Sequence, residues 1–276
     1  MSKRPNRWRP ALINVGLVVL LLTAVSFLPP DTSLKERQDS GVIKLCVPSS
    51  YPPLVTGDAQ KPGFDIELAQ KIAQHLKLRL IVNVMSSIGS DFNPRNWLLT
   101  RAQCDIIAGG VADTPRTRGF LQTVQTGIET GWVAALPDGA MPARDSVVAV
   151  LPGSSGLDRL ALSSWLREQG IRPMPVRDVT ALAQALTSGQ AKAGILERFS
   201  AETLHDNQPS LPLLWLPSDS FPRYQMSLGL WKGDDTFKRA ILAAMDALGA
   251  SNDLAALRTR YDLDSVLTEM SGAEIR

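Results

Sequence analysis

A chain of 276 residues, 44% hydrophobic and 20% charged, is long enough for two lobes or one large α/β domain. Its net charge is +2, and Lys3, Arg4, Arg7 and Arg9 carry much of the excess, so the remainder is slightly acidic. No extended basic stripe remains to neutralise phosphates, which excludes nucleic acid as the main partner.

Residues 1–10 form a basic cytoplasmic segment, and 11–28 (ALINVGLVVLLLTAVSFL) are almost wholly apolar before Pro29 and Pro30. A helix of that length spans roughly 27 Å, close to the hydrocarbon thickness of a bilayer. Basic residues and Trp8 in front of it predict a cytoplasmic N-terminus and an exported, periplasmic remainder. Residues 11–29 therefore read as a signal-anchor or signal-peptide helix. Ala24 and Ser26 offer small residues for cleavage, but Phe27 and two prolines follow, and the uncleaved anchor is favoured. The lack of a cysteine at the end of the run excludes a lipoprotein anchor. Residues 30–40 are polar and read as a linker between the inner membrane and the domain.

Residues 42–47 read as a buried strand, ended by the loop PSSYPP (48–53). Gly63 precedes a helix over 65–76, with Ile66, Ala69, Ile72, Ala73 and Leu76 at helical spacing. A strand over 80–85, a short helix within 91–103 and a strand over 105–109 complete a β-α-β-α-β order, which means a parallel sheet. Ligands bind such sheets at the carboxyl ends of strands, where the Tyr51 loop and Gly109–Gly110 both lie. Paired glycines leave main chain open to close approach. Arg116 and Arg118 follow at once, and a guanidinium fork suits a carboxylate. The segment CDIIAGGVADTPRTR (104–118) thus reads as a binding edge for a small anion or zwitterion, the alternative being a buried strand followed by a solvated basic turn.

A second α/β unit opens with a strand over 147–151, the turn PGSSG (152–156) and a helix to 169. A helix over 178–188 and a strand over 193–196, which delivers Glu197, come next. A strand over 225–231 and helices over 235–248 and 253–261 finish the order. The only cysteines, Cys46 and Cys104, lie in or beside strands of one lobe. In an exported chain they can pair; the alternative is two small buried hydrophobes. The sequence holds no Ser-His-Asp set, P-loop or metal-ligand cluster, and His75 and His205 stand apart. No catalytic group, metal or cofactor is expected.

Taken in order and at their spacing, SSYPP (49–53), GFDIELA (63–69), CDIIAGG with TPRTR (104–118), LPGSSG (151–156), AGILER (193–198) and YQMSLGLWKGD (224–234) resemble one family. Over residues 41–262 the chain is similar to the type 2 periplasmic solute-binding proteins, in the amino-acid-binding branch that serves ABC transporters. The resemblance implies a two-lobed α/β fold of the periplasmic-binding-protein type II, behind an N-terminal transmembrane or signal helix. Lobe one is expected over 41–131 plus 225–268, lobe two over 132–224, and a tail over 269–276. Hinges are expected near 130–133 and 222–226.

It also implies a non-catalytic binder that captures a small amino acid or related carboxylate and presents it to ABC transporter membrane subunits or another periplasmic partner. By the same resemblance Tyr51 and Phe92 wall the ligand. The family's carboxylate-clamping arginine falls in frame on Thr117; Arg116 and Arg118 flank it, and Arg118 is taken as the clamp. Gly109 and Gly110 line the edge where relatives often carry hydroxyl side chains. Ser154 and Ser155 add main-chain N–H groups and hydroxyls at a helix N-terminus, which favours negative charge in its own right. Glu197 takes the ligand ammonium group, the alternative being a structural pair with Arg198, since a buried carboxylate is costly without a cation. Two other readings stay open: an anchored accessory or sensor module of the kind that accompanies quinoprotein dehydrogenases, and an enzyme like cyclohexadienyl dehydratase with Glu197 as general acid.

Overall fold

The structure, a computed structural model, describes residues 8–26, 30–89, 91, 93–152, 157–264 and 267–270. Helix α1 (Trp8–Ser26) leads. Its described side chains Ile13, Val15, Leu17, Val18, Val19, Leu20, Leu21 and Leu22 are 56–69% exposed, with no face packed on the protein. Ile13–Thr23 is its described apolar part, and among the described residues no single helix is long and apolar enough to cross a membrane.

The stretch expected as a linker instead folds into α2 (Ser33–Ser40), with Ser33 and Arg37 buried. Arg37 ion-pairs with Asp105 at 2.9 Å and Asp234 at 3.1 Å, and its guanidinium lies 5.1 Å from the Phe237 ring centroid. Asp31 accepts from the Ser33 N–H at 2.8 Å and the Thr236 N–H at 2.5 Å. Seven of the eight residues of α2 are polar, and Leu34 alone is too little to reveal such docking. Two buried carboxylates supplied from distant parts of the chain hold it.

The first sheet starts with β1 (Val42–Val47), then α3 (Phe64–His75), β2 (Arg79–Val84), β3 (Ile106–Ile107), α4 (Pro115–Phe120) and β4 (Leu121–Thr130). The expected helix within 91–103 is reduced, among the described residues, to a single 3-10 turn at Pro94–Trp97. The second sheet is built from β5 (Trp132–Ala135), β6 (Val147–Val150), α5 (Arg159–Glu168), β7 (Arg172–Pro175), α6 (Val179–Thr187), β8 (Ala193–Glu197), α7 (Arg198–Asn207) and β9 (Leu213–Trp215). The chain then returns to the first sheet with β10 (Tyr224–Trp231), α8 (Asp235–Ala250) and α9 (Asp253–Arg260), and ends with β11 (Thr268–Glu269).

Strand order is β2-β1-β3-β10-β4 in the first sheet and β11-β9-β5-β8-β6-β7 in the second. β2, β1 and β3 are parallel, as the β-α-β order requires, while β10 runs antiparallel to both β3 and β4. Pairing of β11 with β9 puts Thr268 and Glu269 on the second sheet, so the chain crosses between sheets a third time near its end. Thr268, expected in lobe one, thus lies on the second sheet, and a third crossing joins the two expected.

Alternation along β1 and the 3.6-residue spacing of α3 and α8 send Ile43, Leu45, Leu68, Ile72, Phe237 and Ile241 into one core, all fully buried. Cys46 and Cys104 are joined by a disulfide, Sγ to Sγ 2.04 Å, which pins β1 to the residue pair before β3.

Candidate functional site

The site begins where β1 and β3 end. Gly109 sits at φ +75°, and a Cβ there would lie 2.4 Å from Pro48 Cδ, so only glycine fits. Its N–H donates to Asp65 Oδ2 at 2.7 Å. Asp65, the acid of GFD, is buried, and burial pushes it up to about 7 against the pull of that single N–H. A Cβ on Gly110 would lie 3.6 Å from Tyr51 Cε1, so the glycine edge and the Tyr51 ring stand face to face.

Tyr51 is held by a two-way bridge with Val55 and packs edge-on against Phe199 of α7, ring centroids 5.9 Å apart. Glu197, the last residue of β8, is fully buried and caps α7 by accepting from the Phe199 N–H at 3.1 Å. Thr130, the last residue of β4, donates its hydroxyl to Glu197, and the Tyr51 hydroxyl lies close enough to favour its charge. Burial nevertheless wins and pushes the Glu197 carboxyl up to about 7. Arg198 does not neutralise it: its guanidinium pairs with Glu202 at 2.9 Å and donates to the carbonyls of Glu129 and Leu263. An uncompensated buried carboxylate beside an aromatic ring, at the meeting of two lobes, is suited to receive an ammonium group.

The arginine segment forms α4. Thr117, the in-frame position, is buried and tied to Thr114, Oγ1 to Oγ1 3.0 Å. Arg118 keeps half its side chain exposed and pairs with Asp113 at 3.0 Å. Thr123 and Gln125 each donate to that aspartate at 2.8 Å. Burial opposes its charge, but those donors and Arg118 together hold the Asp113 carboxyl below its usual range. Arg116 is exposed and, with Arg159 of α5, helps to hold the Asp91 carboxyl down, although the Asn93 N–H does more.

Tyr51, Gly109, Gly110 and Glu197 are thus brought together, whereas Arg116 and Arg118 stand one turn along, facing Asp91 and Asp113. Phe92, Ser154 and Ser155 lie outside the described residues. Asp65, Asp113, Thr130 and Arg159 were not singled out by sequence. The acid in GFD was the one signal that pointed to any of them. A cavity of about 550 Å³ opens on the far side of Phe199, between Pro52–Pro53, Tyr261 and α7, and none of Gly109, Gly110 or Arg118 lines it.

Two α/β lobes linked by crossings, with a glycine edge on one and a buried acid on the other, define a two-lobed solute-binding fold. The chain belongs to the bacterial extracellular solute-binding proteins, family 3, whose model matches residues 43–264. A search of curated proteins found none that matches. Among solved structures, a mutant of ArgBP from T. maritima shares 21% identity, with 83% of this chain and 99% of that chain aligned at a TM-score of 0.61. The substrate-binding protein of an ABC uptake transporter from Streptococcus pneumoniae, with bound histidine, shares 14% identity over 87% and 99% of the two chains, TM-score 0.63. The ancestral amino-acid-binding protein AncCDT-1, a precursor of cyclohexadienyl dehydratase, shares 16% identity over 83% and 99%, TM-score 0.62. At these identities the likeness is one of fold.

Proposed function

We propose that the chain is a non-catalytic periplasmic solute-binding protein, held at the inner membrane by α1, that captures a small amino acid or related carboxylate between its lobes. Glu197 carries the reading: a buried carboxyl pushed up to about 7, beside Tyr51, with no cationic side chain paired to it among the described residues. A ligand ammonium group supplies the missing charge. Arg118, held by Asp113 but half exposed, takes the ligand carboxylate, with Ser154 and Ser155 closing from lobe two. The closed form is then presented to the membrane subunits of an ABC transporter. Arginine and histidine, named for the relatives in the structures above, come first in a ligand panel.

Thermal unfolding of residues 31–276 against amino acids and organic acids tests this. A ligand at a hundred times its Kd adds about 2.7 kcal/mol, a rise of roughly 5–10 °C for a domain of this size. Arg118→Ala removes most of that rise. No shift with any ligand sinks solute capture and favours an anchored accessory or sensor module. Turnover of prephenate by the same protein would instead make Glu197 a general acid.

A further inference from the structure

The cavity of about 550 Å³ lies outside the cleft, and solute capture as described above uses none of its polar groups. Phe199 stands between the two spaces, packed against Tyr51 on one side and lining the cavity on the other. Pro52, Pro53 and Tyr261 come from lobe one, and Leu211 and Leu213 from lobe two. The volume falls in the range of small-ligand sites, which are concave and mostly apolar with a few placed charges.

The charge on its rim has one sign. Glu202, Asp206 and Asp262 line the cavity, whereas among the described residues no lysine or arginine does. Buried Arg198 already holds Glu202 at 2.9 Å. Asp206 and Asp262 are exposed, and among the described residues no ion pair engages either.

Tyr261 offers an occupant only its ring. Its hydroxyl accepts from the Gly63 N–H at 3.0 Å and donates to Glu67 at 2.7 Å. Lys61 and Arg260 lie 5.2 and 5.9 Å from the ring centroid without lining the cavity, and Arg260 also pairs with Glu67 at 3.2 Å. An incoming cation is therefore directed to the rim carboxylates, and an incoming anion is repelled by them.

We propose that this cavity is a second binding site, for a small organic cation. Its ammonium group is held by Asp206 and Asp262, and its apolar body sits against Phe199, Leu211 and Leu213. Pro52, Pro53 and Tyr261 supply the opposite wall, so the occupant touches both lobes. The cleft keeps its own ammonium receptor, Glu197, which is fully buried and does not line the cavity.

Calorimetric titration of the full chain in phosphatidylcholine nanodiscs tests this, with empty nanodiscs as the blank. Phenethylamine is the probe, and 3-phenylpropionate is its control, with the same ring and the opposite charge. Phenethylamine should bind, and phenylpropionate should bind more weakly by roughly tenfold. Thr203→Trp and Ser210→Trp, at exposed lining positions, fill the cavity and should each abolish binding. Asp206→Asn combined with Asp262→Asn should weaken it roughly two- to fivefold. Glu197→Gln should leave it unchanged. No binding by the parent, equal binding of the two probes, binding that survives both tryptophan variants, or indifference to the two aspartates overturns the site. Loss of binding in Glu197→Gln alone also overturns it and returns the cation to the cleft, where it supports solute capture instead.

Discussion

Glu197 sets how this protein should respond to pH. Its folded carboxyl titrates near 7 because burial outweighs the Thr130 bond, the nearby Tyr51 hydroxyl and the Phe199 N–H, whereas in the unfolded chain it titrates near 4.5. Below 4.5 both states are protonated and nothing is lost. Between 4.5 and about 7 the unfolded chain ionises first, so stability falls as pH rises, and the loss is complete above 7. Asp65 adds a fall of the same sign, from 3.8 to about 7. At most, Glu197 contributes on the order of 3 kcal/mol and Asp65 on the order of 4 kcal/mol. Unfolding of residues 31–276 in urea should therefore show lower stability at pH 8 than at pH 5, and Glu197→Gln and Asp65→Asn should each flatten the slope. A ligand ammonium reverses the balance at Glu197, because it needs the charged form. Affinity should rise with pH up to about 7, and calorimetry at pH 6 in buffers of different ionisation heat should show proton release on binding. The bonds to Asp113 from Gln125 and Thr123, with the Arg118 pair, work the other way, and their contribution is lost only as pH drops below the usual carboxylate range.

At the scale of elements, Arg37→Ala isolates what the docking of α2 contributes. It leaves Asp105 and Asp234 buried with one cation fewer, although the Lys44 N–H still serves the first and Arg101 the second. The expected cost is about 3 kcal/mol, read as a lower urea midpoint with unchanged slope. That α2 escaped sequence reading has the same physical origin: its partners sit 68 and 197 residues away, and nothing local marks them. β4 escaped for a different reason. Its inward positions alternate cleanly as Val124, Thr126, Ile128 and Thr130, but two of the four are threonines whose hydroxyls are spent on the Met226 carbonyl and on Glu197. β1, α3 and α8, by contrast, were legible because most of their buried residues are apolar and recur at the element's spacing, and β8 because an unbroken run of small and apolar residues precedes Glu197. In the site, the glycine edge, Tyr51 and Glu197 could be read from motifs. Where the arginines turn could not, because Asp113 is held by Thr123 and Gln125, two residues on the strand that alternation failed to reveal.

Across the whole molecule, one side chain joins the moving parts. Arg198 begins α7 in lobe two and is buried, yet it reaches the Glu129 carbonyl before the first crossing and the Leu263 carbonyl before the last. Its own N–H donates to Gly131, the residue between β4 and β5. Next to it Phe199 packs into the core of lobe one against Tyr51. Separating α7 from those carbonyls must break these bonds, of which the two from the charged guanidinium are worth about 1.5–3 kcal/mol each. They therefore hold the two lobes in the arrangement of this structure. Arg198→Ala loosens it: small-angle scattering of the ligand-free variant should give a radius of gyration displaced from the parent's, and saturating ligand should move it back. Where ligand binds the arrangement these bonds hold, affinity should drop by roughly tenfold for each 1.4 kcal/mol of that preference lost. Arg198→Lys keeps the charge but not the fork that spans two carbonyls, and should fall between the two. A variant with parental scattering and weaker binding would mean instead that Arg198 acts on the ligand through Glu197 alone, with the hinge set by backbone.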